Sequence, residues 1–170
     1  MKFPMTPRGY EKLKEDLREA KAERPRLAQV ILEAREQGDI TENAEYHAAK
    51  ERQAFLEGRI RDLEARIGMA QVIDPSKLSG DRVVFGATVD LQAADSGERT
   101  RYTIVGEDEA DAKLGLLSIS SPLARALVNH SAGDEVSVKV PGGLRTYEIV
   151  AVSFVAVAPA APAPQPADAT

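Results

Sequence analysis

Two runs of residues at three- and four-residue steps, equal in length and broken once, constrain this chain more than any other feature. The first passes through Tyr10, Leu13, Leu17, Ala20, Arg24, Leu27, Ile31 and Ala34. The second passes through Tyr46, Ala49, Gln53, Leu56, Ile60, Leu63, Ile67 and Ala70. Each is a heptad stripe on one helix face, and Gly38 between them suits the left-handed position that ends a helix. Matched stripes around a break predict an antiparallel helical hairpin. If the chain turns near Ile40, positions equally far from it face each other. Tyr10 then meets Ala70, Ala20 meets Ile60, Ile31 meets Ala49 and Ala34 meets Tyr46, so large faces small, as interdigitated layers require. Leu13–Ile67 and Leu17–Leu63 form an apolar base, and Arg24 and Gln53 place polar groups midway that disfavour other registers. The rival, a seam for a dimeric coiled coil, is disfavoured because Gly38 and the acids after it interrupt the helix. Thr6-Pro7 reads as the first helix's start, and Pro25 within it predicts a kink. A helix of roughly 30 residues spans about 45 Å.

The hairpin takes residues 1–74. "PSKLSG" at 75–80 has the turn chemistry of a linker. Residues 81–156 carry β-branched runs, "RVVFGATVDLQ", "TRYTIVGE", "LGLLSIS", "DEVSVKV" and "RTYEIVAVSF". Within them "SPLARALVNH" reads as a short helix with Ser121 as its cap and Pro122 first in it. Strands with one inserted helix predict an α+β domain on an antiparallel sheet. Residues 157–170, "VAPAAPAPQPADAT", are rich in Ala and Pro and predict a disordered tail.

Composition narrows the function. The net charge of −5 excludes a general coater of DNA, which needs a cationic face, although local basic clusters remain compatible with RNA. There is no cysteine, hence no disulfide framework, thiolate zinc site or cysteine nucleophile. The start "MKFPMTPRGY" lacks the apolar core of a leader peptide, and no apolar run reaches the ~20 residues of a membrane helix. These features fit a reducing cytoplasm.

The chemistry concentrates in "GDITENAEY". Asp39 and Glu42 are spaced as an acidic relative of a capping box, with Asp39 as N-cap and Glu42 third in the second helix. Thr41 is an alternative cap, leaving Glu42 and Glu45 in the first turn against the positive helix end. The sharper reading is metal chemistry. Two carboxylates three apart converge on one point, and Mg²⁺ is held by one or two carboxylates plus waters and substrate phosphates. Alone such a tip binds Mg²⁺ weakly. It works by completing a site whose other ligands lie in a partner.

"GDITENAEYHAAKERQ" closely resembles the tip of the bacterial Gre transcript cleavage factors of GreA type. The resemblance runs from Met5 to Phe154 through "MTPRGYEKL", "RPRLAQVILEAREQGDITENAEY", "FLEGRIRDLEARI", "VVFGATVDL", "YTIVGEDEAD", "SISSPLARAL" and "VPGG". It implies a hairpin that enters the secondary channel of a backtracked bacterial RNA polymerase. There Asp39 and Glu42 help hold a second Mg²⁺ shared with the polymerase and orient a water, so that the polymerase cleaves the extruded 3′ end of its nascent RNA. It also implies that Asn43, Glu45 and Tyr46 shape the tip, and that an FKBP-like second domain docks at the channel rim. The protein would then be an accessory factor, a cytoplasmic monomer, and not an enzyme.

Arg35, Lys50 and Arg52 lie near the tip. Singly each reads as solvated helix charge; together they suit the phosphates of extruded RNA. Phe55 suits stacking on a base, whereas Tyr46 falls on the seam. His47 reads as a surface or packing residue, and His130 as a partner of a helix C-terminus. Three rivals remain: a channel-binding transcription inhibitor of the same shape, an FKBP-like peptidyl-prolyl isomerase, and a free nuclease. The matched acids disfavour the first, the 5% aromatic content the second, and the incomplete metal site the third.

Overall fold

A computed structural model describes residues 2–39 and 42–155. The predicted tail at 157–170 lies outside the described residues. The chain divides into two compact units. Tyr10–Ala70 lies in the first, and residues 2–9 and 71 onward form the second.

The first unit is built from α1 (Pro7–Arg35), which passes into it from its first turn, and α2 (Ala44–Gly68). Thr6 precedes Pro7, and its hydroxyl accepts the Gly9 N–H at 3.3 Å, the cap that the Thr-Pro pair predicts. The stripes emerge as the covered faces. Leu13, Ala20, Leu27, Ala34, Ala49, Leu56, Ile60 and Leu63 are buried, with Ile60 at 1% exposure. Contacts across the pair fix the register. The Arg24 guanidinium donates to both oxygens of Glu57 at 2.8 and 2.7 Å, two residues nearly equidistant from position 40. Its hydrogen bonds hold the Glu57 carboxyl below its ordinary pKa. Lys21 and Glu64 pair at 3.2 Å. Pro25 stays inside a helix that is continuous through it.

The second unit centres on a five-stranded sheet. Its strands are β3 (Thr88–Ala93), β4 (Arg99–Val105), β5 (Leu116–Ser118), β6 (Glu135–Val140) and β7 (Gly143–Ser153), with α3 (Pro122–Leu127) inserted between β5 and β6. The strand order is β5-β4-β3-β7-β6. Every neighbour is antiparallel except β4 and β5, which run parallel (Thr103 opposite Leu116), so the sheet is mixed at one edge. A bulge between Asp90 and Leu91 shifts the β3–β7 register. Alternate residues of the strands face one core of Val89, Leu91, Ile104, Val136 and Ile149, closed by Ala124 and Leu127 of α3. The Ser121 hydroxyl accepts the Ala124 N–H at 3.2 Å, so the predicted cap forms.

Several local expectations differ. The run from Arg82 begins as a bridge and turn, and β3 starts only at Thr88; Gly86 takes φ +89° there and passes close over Pro75. Val83 and Ala87 of that stretch still reach the core. His130 meets the helix end through its backbone, its N–H donating to the Leu127 carbonyl at 3.1 Å, while its ring lies 3.5 Å from the Asp134 carboxylate. Two three-residue strands, β1 (Phe3–Met5) and β2 (Ala70–Val72), pair as a separate ribbon. Beside it the Ile73 N–H donates to the Met5 carbonyl at 2.9 Å.

Candidate functional site

The end of α1 unwinds in an ordered way. Glu36 N–H donates to the Leu32 carbonyl at 3.2 Å, and Gln37 N–H to the Ala34 carbonyl at 3.3 Å. Gly38 then takes φ +138°, and a side chain there would meet nothing within 4 Å. Its glycine is required by the backbone and not by space. Past it, Glu42 N–H donates to the Asp39 carbonyl at 3.3 Å, a bond between the residues that carry both acids.

The second helix begins at Ala44, and its N-cap is Asn43. The Asn43 Oδ1 accepts the Tyr46 N–H at 3.0 Å. Its Nδ2 donates to the Ala34 carbonyl in the last turn of α1. One side chain therefore starts the second helix and ties it to the end of the first. This overturns the capping-box reading of Asp39 and Glu42, since both acids precede the cap. Thr41, the alternative cap, lies outside the described residues. Among the described residues the acids do not serve to start α2, and both are exposed.

Glu45 is exposed in the first turn of α2, where the positive helix end favours a carboxylate. Tyr46 is half-buried, with its ring edge-to-face on His47 at 5.6 Å between centroids. Among the described residues no three His, Asp or Glu side chains gather as a metal cage. Two exposed carboxylates three residues apart nevertheless supply the hard oxygen donors that suit a Mg²⁺ ion drawing its remaining ligands from elsewhere.

The basic residues do not form one patch. Lys50 and Arg52, two apart on α2, point roughly 200° apart around the helix. The Lys50 ammonium donates to the Gln53 side chain at 3.0 Å. Arg52 lines a groove with Val30, Glu33 and Glu45 on the flank next to the tip. Arg35 is exposed in the last turn of α1, where its charge suits the negative helix end. Phe55 is 77% exposed, the most exposed of the large apolar residues described. Sequence reasoning missed the double role of Asn43. Its signal was present, a polar side chain three residues before Tyr46, but Asp39 and Thr41 offered the same signal nearby.

Residues 3–72 match the family model described as transcription elongation factor, N-terminal, and residues 78–154 match that of transcription elongation factor, GreA/GreB, C-term. The chain is 58% identical over 155 residues to proteins named transcription elongation factor GreA in Brucella canis and Brucella suis, covering 91% of this chain and 99% of each relative. Among solved structures it is 29% identical to the GreA factor homolog 1 protein of Thermus thermophilus, over 89% of this chain and 99% of that one, with a TM-score of 0.41.

Proposed function

Because the chain belongs to the GreA/GreB family of transcription elongation factors, we propose that its hairpin tip completes the RNA-cleaving site of a backtracked bacterial RNA polymerase. The protein is an accessory factor and the cleavage is the polymerase's own. In this reading the hairpin enters the secondary channel and the second unit docks at its rim. A Mg²⁺ ion shared with the polymerase supplies charge stabilisation to the leaving oxygen when bound. Asp39 and Glu42 present carboxylate oxygens to that ion and orient the attacking water. Asn43 holds the turn that carries them. Arg35, Lys50 and Arg52, spread around the hairpin and not gathered in one patch, each add positive charge near the tip that attracts phosphates of the extruded 3′ segment. The factor acts as a cytoplasmic monomer.

The observation that carries this reading is the position of the cap. Asn43 is the cap of α2, and the Asp39 and Glu42 side chains that precede it are exposed to solvent. The test uses backtracked complexes with labelled RNA. Asp39→Asn and Glu42→Gln keep the size and polarity of each side chain and remove its charge. We expect stimulated cleavage to fall by ~10²-fold or more, the usual scale for deleting a charge-stabilising group. Both variants should still compete with the unaltered protein for polymerase, and raised Mg²⁺ should restore part of the loss. Full stimulation by both variants would sink the reading.

A further inference from the structure

Phe55 takes little part in the packing of the hairpin. It stands on α2 at 77% exposure, while Leu56 beside it is buried in the seam. With Leu27 of α1 and Leu56 and Gly58 of α2 it lines an open groove on one flank of the hairpin. A single exposed apolar side chain is ordinary on any protein surface. Its neighbour Gly58 is not ordinary.

Gly58 lies three residues beyond Phe55 and so shares its face of the helix. It stands in the interior of α2, where glycine weakens a helix relative to alanine. The hairpin itself gives no reason for it. Its φ is not positive, and a side chain there would meet nothing within 4 Å. A helix interior uses glycine at that cost where another body lies close against its backbone. Ala54, four residues before Gly58 and exposed, lines the same groove. Together the two small residues make a shallow seat beside the Phe55 ring.

The charges around the seat choose its occupant. Along the groove the acids Glu23, Glu51 and Asp62 outnumber the bases Arg52 and Arg59, so phosphates are not gathered there. Lys50 points roughly 140° away from Phe55 around α2. An aromatic centre with a charged rim is the anatomy of a protein interface.

We propose that this seat docks a protein surface of the RNA polymerase: a large apolar side chain packed on the Phe55 ring, on a segment that lies against Gly58 and whose flanking groups are basic, complementing the acids of the groove. The inference rests on the function proposed above and names a partner surface for the hairpin. The contact contributes affinity and takes no part in the chemistry at the tip.

The test measures displacement of labelled unaltered protein from polymerase complexes, together with the cleavage rate at saturation. Phe55→Ala removes an exposed ring. It should leave the melting temperature of the hairpin unchanged and raise the half-displacement concentration by ~10-fold or more, the scale of an interface anchor. Gly58→Gln separates docking from folding. Glutamine is the better helix former, so this variant should melt higher, yet bind about 10-fold more weakly because its side chain fills the seat. Glu51→Lys sets a cation against a basic partner and should weaken binding several-fold. The cleavage rate should recover at saturating concentrations of each variant. The losses should be equal in complexes with and without an extruded RNA segment. Unaltered displacement by Phe55→Ala or by Gly58→Gln overturns the proposal. So does a loss confined to backtracked complexes, which makes an RNA base the occupant. Loss of self-association with polymerase binding intact makes the occupant a second copy of the chain and overturns it equally. Unchanged or tighter binding by Glu51→Lys overturns the basic partner. If the variants bind as expected but the unaltered protein fails to stimulate cleavage, the functional reading of the tip falls and this surface stands.

Discussion

Asn43 makes two bonds that different substitutions separate. Asn43→Asp keeps an oxygen for the Tyr46 N–H but loses the donor to the Ala34 carbonyl and sets a negative charge against it. Asn43→Ala loses both bonds. Loss of an N-cap costs about 1 kcal/mol, so Asn43→Ala should fray the start of α2, seen as fast amide exchange at Tyr46. Asn43→Asp should leave Tyr46 protected and still impair cleavage stimulation, because the turn is no longer tied to α1. Equal stimulation by Asn43→Asp and the unaltered protein would show that the tie is dispensable. The same residue marks how far local sequence can be read. Asp39, Thr41 and Asn43 all have cap chemistry within five positions. What singles out Asn43 is a carbonyl nine residues back, brought near only when the hairpin closes. The acids stood out as a pair from their motif, but that the cap of α2 lies beyond them did not.

Among the elements, the helical hairpin was the most legible because its seam repeats: large and small residues alternate across it, and each pairing supports the next. Ile60, at 1% exposure, lies where the predicted small partner is Ala20. Ile60→Ala would leave a cavity that two helices of fixed spacing close poorly. It should cost ~3 kcal/mol, measured as a fall in the denaturant midpoint of helical circular dichroism. A loss under about 1 kcal/mol would mean that the seam is looser than its burial implies. The sheet was legible as strands but not as a topology. β-branched runs announce β3, β4, β6 and β7, yet nothing local says that β5 returns parallel to β4, because that pairing depends on how the chain crosses between them. β1 and β2 have three residues each, too few for an alternating pattern to stand out. The start of β3 was read too early because Val83 and Val84 continue the β-branched run, whereas Gly86 turns the backbone.

For the whole molecule, the N-terminal residues belong with a unit distant in sequence. Met5 is 3% exposed, its carbonyl accepts the Ile73 N–H at 2.9 Å, and Thr6 lies on Glu109. Deleting residues 2–5 should therefore lower the melting temperature of the second unit while the helix signal of the hairpin persists. An unchanged second transition would show that the ribbon is ornamental. The heptad seam has a different consequence, one of measurement. A seam that repeats every seven residues lets a hairpin grow or shrink only in matched steps, one repeat on each helix, so its length is counted out in whole units of about 10 Å. The chain is then a gauge whose graduations are residues. Adding seven residues to each helix at facing positions should preserve folding and polymerase binding and abolish stimulation, because a gauge one graduation too long carries its mark past the point it was cut to reach.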